Sequence, residues 1–273
     1  MFIYCRLTTI CVKHTSSQLH LLIDLKMRIY ILINAFLLFT NTFYGQIDAS
    51  MKCDTSFTEL RDGLKKMTLR CGGKILQEGT FNKDKKEGAW TIYANTGFPV
   101  SVENYKDDLK HGNFLICGRD GYIQSQESYA FDKLEGISRK FNKGALLKEE
   151  AYYTFGMLDG KHTMWFDNGM KQEDGLFKNG LRTGLNRWFY DDGGVAVEYN
   201  YLNGELHGEC KTFYRNGNKS EIGSYTKGMK VGKCVIYFES GKIQEEGNFD
   251  KGAKDGIWKT YNENGKVLKT EKF

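Results

Sequence analysis

The sequence predicts an all-β protein: an elongated, single-layer antiparallel β-meander of tandem 24-residue hairpin repeats. Three observations carry this expectation. Glycine recurs at a fixed step of 24 residues, an aromatic residue recurs at a fixed offset from each of those glycines, and turn dipeptides cut every unit into two segments of strand length.

The glycines are Gly88, Gly112, Gly136, Gly160, Gly184, Gly208, Gly232 and Gly256. Numbering each unit from this glycine as position zero, a second glycine falls at position nine: Gly97, Gly121, Gly169, Gly193, Gly217, Gly241 and Gly265, with Gly73 in phase one unit earlier. The unit from Gly136 departs, with Gly144 one place early and Ala145 in the slot. Position seventeen is aromatic throughout: Phe81, Tyr105, Tyr129, Tyr153, Phe177, Tyr201, Tyr225, Phe249 and Phe273. Position five is Tyr93, Phe141, Trp165, Phe189, Phe213, Tyr237 and Tyr261, with Cys117 the one departure. A fixed period of this length is the mark of a repeat architecture, in which each unit buries its apolar surface only by stacking on its neighbours.

The turns define the element type. Asn168-Gly169, Asp192-Gly193, Asn216-Gly217 and Asn264-Gly265 read as two-residue hairpin loops. A second set near position twenty is Asn179-Gly180, Asn203-Gly204, Lys227-Gly228 and Lys251-Gly252. Two turns per unit leave two short strands and no room for a helix. About 17 strands at roughly 4.8 Å spacing would make a sheet of around 80 Å. With a two-residue loop at positions eight and nine, positions zero and seventeen face each other. The aromatic is then expected to lie across the strand glycine and compensate for its missing side chain.

Composition agrees with many strands and tight turns: 31 glycines, one proline (Pro99) and 14% aromatic residues. Four segments follow. Residues 1–26 read as an upstream extension and 27–45 as a signal peptide, with Met27-Arg28, the apolar run Ile29–Phe39, and cleavage after Gly45. The apolar run is 11 residues, short of the roughly 20 a membrane span needs; left uncleaved it is an N-terminal membrane anchor. Residues 46–72 form an N-terminal cap segment and 73–273 the array. The expected location is exported: periplasmic, cell-surface or secreted. Segment 1–45 carries Arg6, Lys13, Lys26 and Arg28 against Asp24, a net of +3, which leaves +2 of the chain's +5 for the rest. So small a charge argues against nucleic acid as a partner and gives little support to an anionic membrane surface. Cys53 and Cys71 flank the cap segment and are placed to form a disulfide in an oxidising compartment. Cys210 and Cys234 share a phase two strands apart, too far for a bridge, and are expected as thiols.

Gly160 to Thr183 reads GKHTMWFDNGMKQEDGLFKNGLRT and Gly232 to Asp255 reads GKCVIYFESGKIQEEGNFDKGAKD. These units resemble the bacterial variant of the MORN repeat, and also the YwqK-type antitoxin family, over residues 73–273. The resemblance implies an antiparallel single-layer meander and a role in protein–protein or membrane association. The units from Gly112 and Gly136 depart from it, with Glu127 and Ala151 where Gly175, Gly223 and Gly247 stand in better-formed units.

No catalytic, cofactor-binding or metal-binding set is expected. His111, His162 and His207 lie on different strands with no ligand spacing. The segment outside the array is too short for a catalytic domain. Glutamates recur at positions thirteen to fifteen (Glu103, Glu127, Glu149, Glu150, Glu173, Glu198, Glu221, Glu245, Glu246). They form either an acidic ladder for a cation or basic partner, or a solvated face balanced by lysines. The expected function is an exported, non-catalytic repeat scaffold that binds another protein. A YwqK-like antitoxin or immunity protein and a membrane-peripheral, lipid-associated protein are the alternatives. The irregular stretch from Gly112 to Asp159 is the first place to look for a partner.

Overall fold

The computed structural model describes residues 52–118 and 121–273. The proposed extension, signal peptide and cleavage point lie outside these residues. The described chain is one antiparallel sheet of 22 strands, from Cys53–Glu59 to Val267–Lys272, in which each strand pairs with its neighbour in sequence except at three interrupted strands. Among the described residues no α-helix occurs and no pairing joins the first strand to the last, so the sheet is open. Three two-residue strands (Leu109–Lys110, Lys133–Leu134, Leu181–Arg182) are the first parts of strands that resume after one residue. Counting each such pair as one strand leaves 17 from Lys74 onward.

The cap segment joins this sheet directly. Strand Cys53–Glu59 pairs with Leu64–Cys71, which pairs with Lys74–Asn82. A disulfide joins Cys53 to Cys71 across the first of these pairs.

Positions zero and seventeen face each other within each unit: Gly88 with Tyr105, Gly160 with Phe177, Gly184 with Tyr201, Gly232 with Phe249. The route to that register differs from the expected one. The loop at positions eight and nine is not a two-residue turn. Gly169 N–H donates to Phe166 O at 2.9 Å and Phe166 N–H to Met170 O at 2.8 Å, so three residues form the loop and glycine takes the left-handed φ of +84°. Ala145 fills the same slot with φ +58°. A three-residue loop alone would offset the register by one and turn every side chain to the wrong face. A one-residue bulge at position twelve corrects it, between Met164 and Trp165 on the partner strand in one unit and between Trp188 and Phe189 in the next. The two-residue turns are instead those at positions nineteen and twenty. There both central residues have positive φ, as in Asn179 (+50°) and Gly180 (+80°).

The aromatic does not lie over the strand glycine. A Cβ added at Gly88, Gly232 or Gly256 would meet nothing within 4 Å. Glycine is required because this position bulges against the preceding strand. Asp159, Gly160 and Lys161 together oppose Tyr152, which falls between the pairs Ala151–His162 and Tyr153–Leu158. Gly160 takes φ +127° and Gly208 φ +88°, in the region that L-residues with a Cβ avoid.

Candidate functional site

Partnered residues share a face and consecutive residues alternate, so the pairings sort the side chains. Position two faces position fifteen, as in Cys210 with Gly223 and Tyr199 with Cys210. Position seventeen faces position twenty-two across the tight turn, as in Phe177 with Arg182. All of these lie on one face.

Position two is the core. Trp90, Phe114, Ser138, His162, Asn186, Cys210, Cys234 and Trp258 are all buried. Its chemistry varies too much for the period to be seen in the sequence. The aromatics of position seventeen pack on it edge-on: Phe81 on Trp90 at 4.8 Å, Tyr129 on Phe114 at 4.9 Å, Phe249 on Trp258 at 5.1 Å. Position twenty-two closes this row from outside. Lys254 Nζ is 3.9 Å from the Trp258 ring and 5.3 Å from Phe273, and Lys86 sits over both Trp90 and Tyr105. A stem laid along aromatic rings with its charge over a π-face covers apolar surface while staying solvated at its tip. This lets a single-layer sheet bury a row of residues with no second layer. Cys210 and Cys234 are buried thiols, and burial pushes Cys234 up to about 11.

The recurring glutamates divide between the two faces. Positions thirteen and fifteen face the core row, where Glu103 and Glu127 accept from Tyr105 and Tyr129 at 2.7 Å and Glu221 and Glu245 hold Lys230 and Lys254. Position fourteen faces the other way, where Glu150 and Glu198 each bind an arginine, Arg139 and Arg187, at 2.7 Å. They do not form one continuous acidic ladder, because alternation along the strand separates them.

The middle of the core row is polar. Lys140 Nζ lies 2.8 Å from Glu149 Oε2, Glu149 Oε1 3.1 Å from His162 Nε2, and His162 Nδ1 3.5 Å from Glu173 Oε1. Arg182 Nη1 is 2.6 Å from the same Glu173 oxygen, and Trp188 Nε1–H donates to Glu173 Oε2 at 3.1 Å. Arg182 Nη1–H also donates to the fully buried Asn186 Oδ1 at 3.0 Å. Burial tends to raise the Glu173 pKa, but His162 and Arg182 outweigh it and hold the carboxyl at about 2. The Glu173 carboxylate is the main cause of a raised His162 pKa, opposed by burial and helped by Glu149. The charges pair across neighbouring strands, so the cluster joins units together, although buried His162 Nδ1 and Glu173 Oε1 meet their partners as ion pairs and not as hydrogen bonds. His111 and His207 lie away from it; His111 stacks on Phe131 at 4.7 Å.

What remains open to a ligand is shallow. Two grooves of about 400 and 320 Å³ repeat the same place in consecutive units, between adjacent three-residue loops. One is lined by Gly241, Ile243 and Tyr261, the other by Gly217, Lys219 and Tyr237. The tight turns at the opposite edge are different. Leu109, Phe131, Phe155, Met157, Leu181, Leu202 and Met229 are exposed there, Phe155 at 71%. Phe131 and Phe155 hold the first central turn position with φ of +48° and +50°, where other units have lysine, aspartate or asparagine.

A sheet extended one hairpin at a time, with its charged groups bound into the sheet and one apolar turn edge, defines a tandem-repeat protein. Residues 158–179, 182–203, 206–227, 230–251 and 254–273 match the MORN repeat variant. Each matched segment begins at position twenty-two, the residue over the aromatic row, and the first four end at position nineteen, in the tight turn. The MORN variant is a non-catalytic repeat type. No curated protein matches the chain.

Proposed function

We propose that this protein is an exported, non-catalytic repeat scaffold that binds another protein along its extended sheet, through the edge formed by the tight turns. The observation that carries the reading is the row of exposed apolar side chains from Leu109 to Met229. Apolar side chains exposed at successive turns along one edge, with Lys133 and Glu205 among them, are what a protein-binding surface presents. Two of its members occupy backbone positions that disfavour phenylalanine, and such strain is retained where something other than stability maintains it. Export is supported by the signal-like residues 27–45 and by the Cys53–Cys71 disulfide, a bond that persists in oxidising compartments. A YwqK-type antitoxin would perform the same physical act, capture of one protein, with toxin neutralisation as its consequence.

Site-specific photo-crosslinking in the native envelope tests this. A crosslinker at Phe155 or Met229 is expected to give one discrete protein adduct, and one at Gln172 none. Lipid adducts alone, or no adduct at the turn edge, would overturn the proposal. The adduct's identity separates a scaffold from an antitoxin.

A further inference from the structure

The row's spacing specifies the partner's shape, an inference that rests on the protein-binding reading above. We infer that the turn edge from Leu109 to Met229 receives an amphipathic α-helix with one apolar residue per seven. Successive units are two strands apart, about 9.6 Å at roughly 4.8 Å per strand. Seven helical residues rise about 10.5 Å at 1.5 Å each. A helix with a heptad seam laid along the edge therefore sets an apolar residue against each turn over several units.

Leu109, Phe131, Phe155, Met157, Leu181 and Met229 form that strip. Position-twenty-one side chains reach the next unit's turn at two places, and Lys133 and Glu205 interrupt the apolar row at that position. A Cβ on Gly204 would stand 3.3 Å from Leu181, and one on Gly156 3.8 Å from the Lys133 Cβ.

Two other occupants fit less well. An extended strand covers the same distance in three residues, but its side chains alternate, so successive contacts would point to opposite sides. The edge also offers little backbone for strand addition. Turn N–H groups are already bonded to the preceding unit: Gly156 to Leu134 O at 2.8 Å, Gly180 to Leu158 O at 2.7 Å and Gly204 to Arg182 O at 2.9 Å. A charged bilayer has no electrostatic hold here. In the tight turns from Lys106 to Met229, lysines and acidic residues are equal in number, four of each.

The test uses the full chain and a fluorescein-labelled helical peptide of about 28 residues, roughly 42 Å long, with leucine at every seventh position and Glu–Lys pairs elsewhere. A control peptide has the same composition with leucines five apart. Fluorescence anisotropy is expected to show saturable binding of the first peptide, at least ten-fold weaker binding of the control, and at least ten-fold weaker binding of the first peptide to F131N/F155N. Asparagine already occupies this turn position at Asn179 and Asn203, so the double variant is expected to melt no lower than the native chain. Equal affinity for both peptides, an unchanged affinity of the variant, or partition onto phosphatidylcholine–phosphatidylglycerol vesicles with no peptide binding would overturn the helix. A protein adduct at Phe155 alongside any of those results would leave the scaffold standing and sink only this inference.

Discussion

Trp258 occupies the space that a side chain on Gly247 would need. A Cβ at Gly247 would overlap Cδ2, Cε2 and Cγ of the indole, whose Nε1–H donates to Asn248 O at 2.9 Å. Trp90 and Gly79 repeat the relationship near the other end, with Trp90 Nε1–H donating to Thr80 O at 3.1 Å. At both places the indole of position two fills the room left by a glycine at position fifteen.

Gly247→Ala should therefore destabilise through overpacking by about 1–3 kcal/mol. Gly223→Ala, in the same phase, should have a much smaller effect. Its nearest neighbours would be the far ends of two flexible side chains, Lys230 Cε at 3.3 Å and Glu221 Oε1 at 3.6 Å, and then Cys234 Sγ at 3.9 Å. Urea midpoints of the two variants check this, and equal losses would show that the indole over Gly247 does not govern packing there.

Gly184 tests the glycine of position zero. Its φ of +59° and a nearest Cβ neighbour of Leu176 at 3.7 Å assign the glycine to backbone conformation, not to cover by Tyr201. Gly184→Ala should destabilise by roughly 1–2 kcal/mol. Gly184 and Tyr201 are paired across the strands and so could couple as contacting residues do; with no cover by the ring, the double-mutant cycle with Tyr201→Leu should show a coupling of no more than about 0.5 kcal/mol. Strong coupling in the double-mutant cycle would restore the aromatic-cover explanation.

The array was legible in the sequence because its rules are strict where backbone geometry is strict. A left-handed bulge or turn admits few residues, so positions zero and nine repeat almost without exception. Position seventeen is as regular because one aromatic must meet the same row in each unit. The core row was hidden for the opposite reason. Whatever fills position two need only complement position fifteen and its neighbours, so Trp90, His162, Asn186 and Cys210 serve the same place. The lysines of position twenty-two were also missed, since they read as surface charge until they are seen over the rings. The expected register was met although the expected loop was not, because a longer loop and a bulge cancel. The turn-edge row was not legible either. Its members come from positions eighteen, nineteen and twenty-one, and only the fold makes them neighbours.

The disulfide closes a separation of 18 residues, for which loop-closure entropy gives about 3 kcal/mol. Strand Cys53–Glu59 is exposed along its whole length and, among the described residues, has one neighbouring strand, Leu64–Cys71. In a repeat array each unit responds mainly to its neighbours. Cys53→Ser with Cys71→Ser should thus release that strand and leave the units from Gly160 onward intact. Hydrogen-exchange mass spectrometry should show loss of protection over residues 53–71 and no change beyond Gly160. Uniform loss across the sheet would mean that the array unfolds as one block.

His162 makes stability depend on pH in a defined direction. Its imidazole stands between Glu149 and Glu173, with Lys140 and Arg182 at the outer ends of the chain of charges. With a carboxylate oxygen near each ring nitrogen, the geometry favours imidazolium, and the folded pKa is raised above its ordinary 6.5. A raised pKa contributes stability that is fully present below about 6.5 and is lost as pH rises through the folded value. Glu173, held near 2 against an ordinary 4.5, contributes stability that is present above 4.5 and lost as pH falls toward 2. The two windows overlap between about pH 4.5 and 6.5, where Tm should be greatest. His162→Gln can still donate one hydrogen bond but cannot carry the charge. It should flatten the decline between pH 6 and 9 while keeping the decline below pH 4.5. Differential scanning fluorimetry of the two chains across that range decides the matter: a native Tm that does not fall from pH 6 to 9, or one that falls equally in His162→Gln, would remove His162 as the cause.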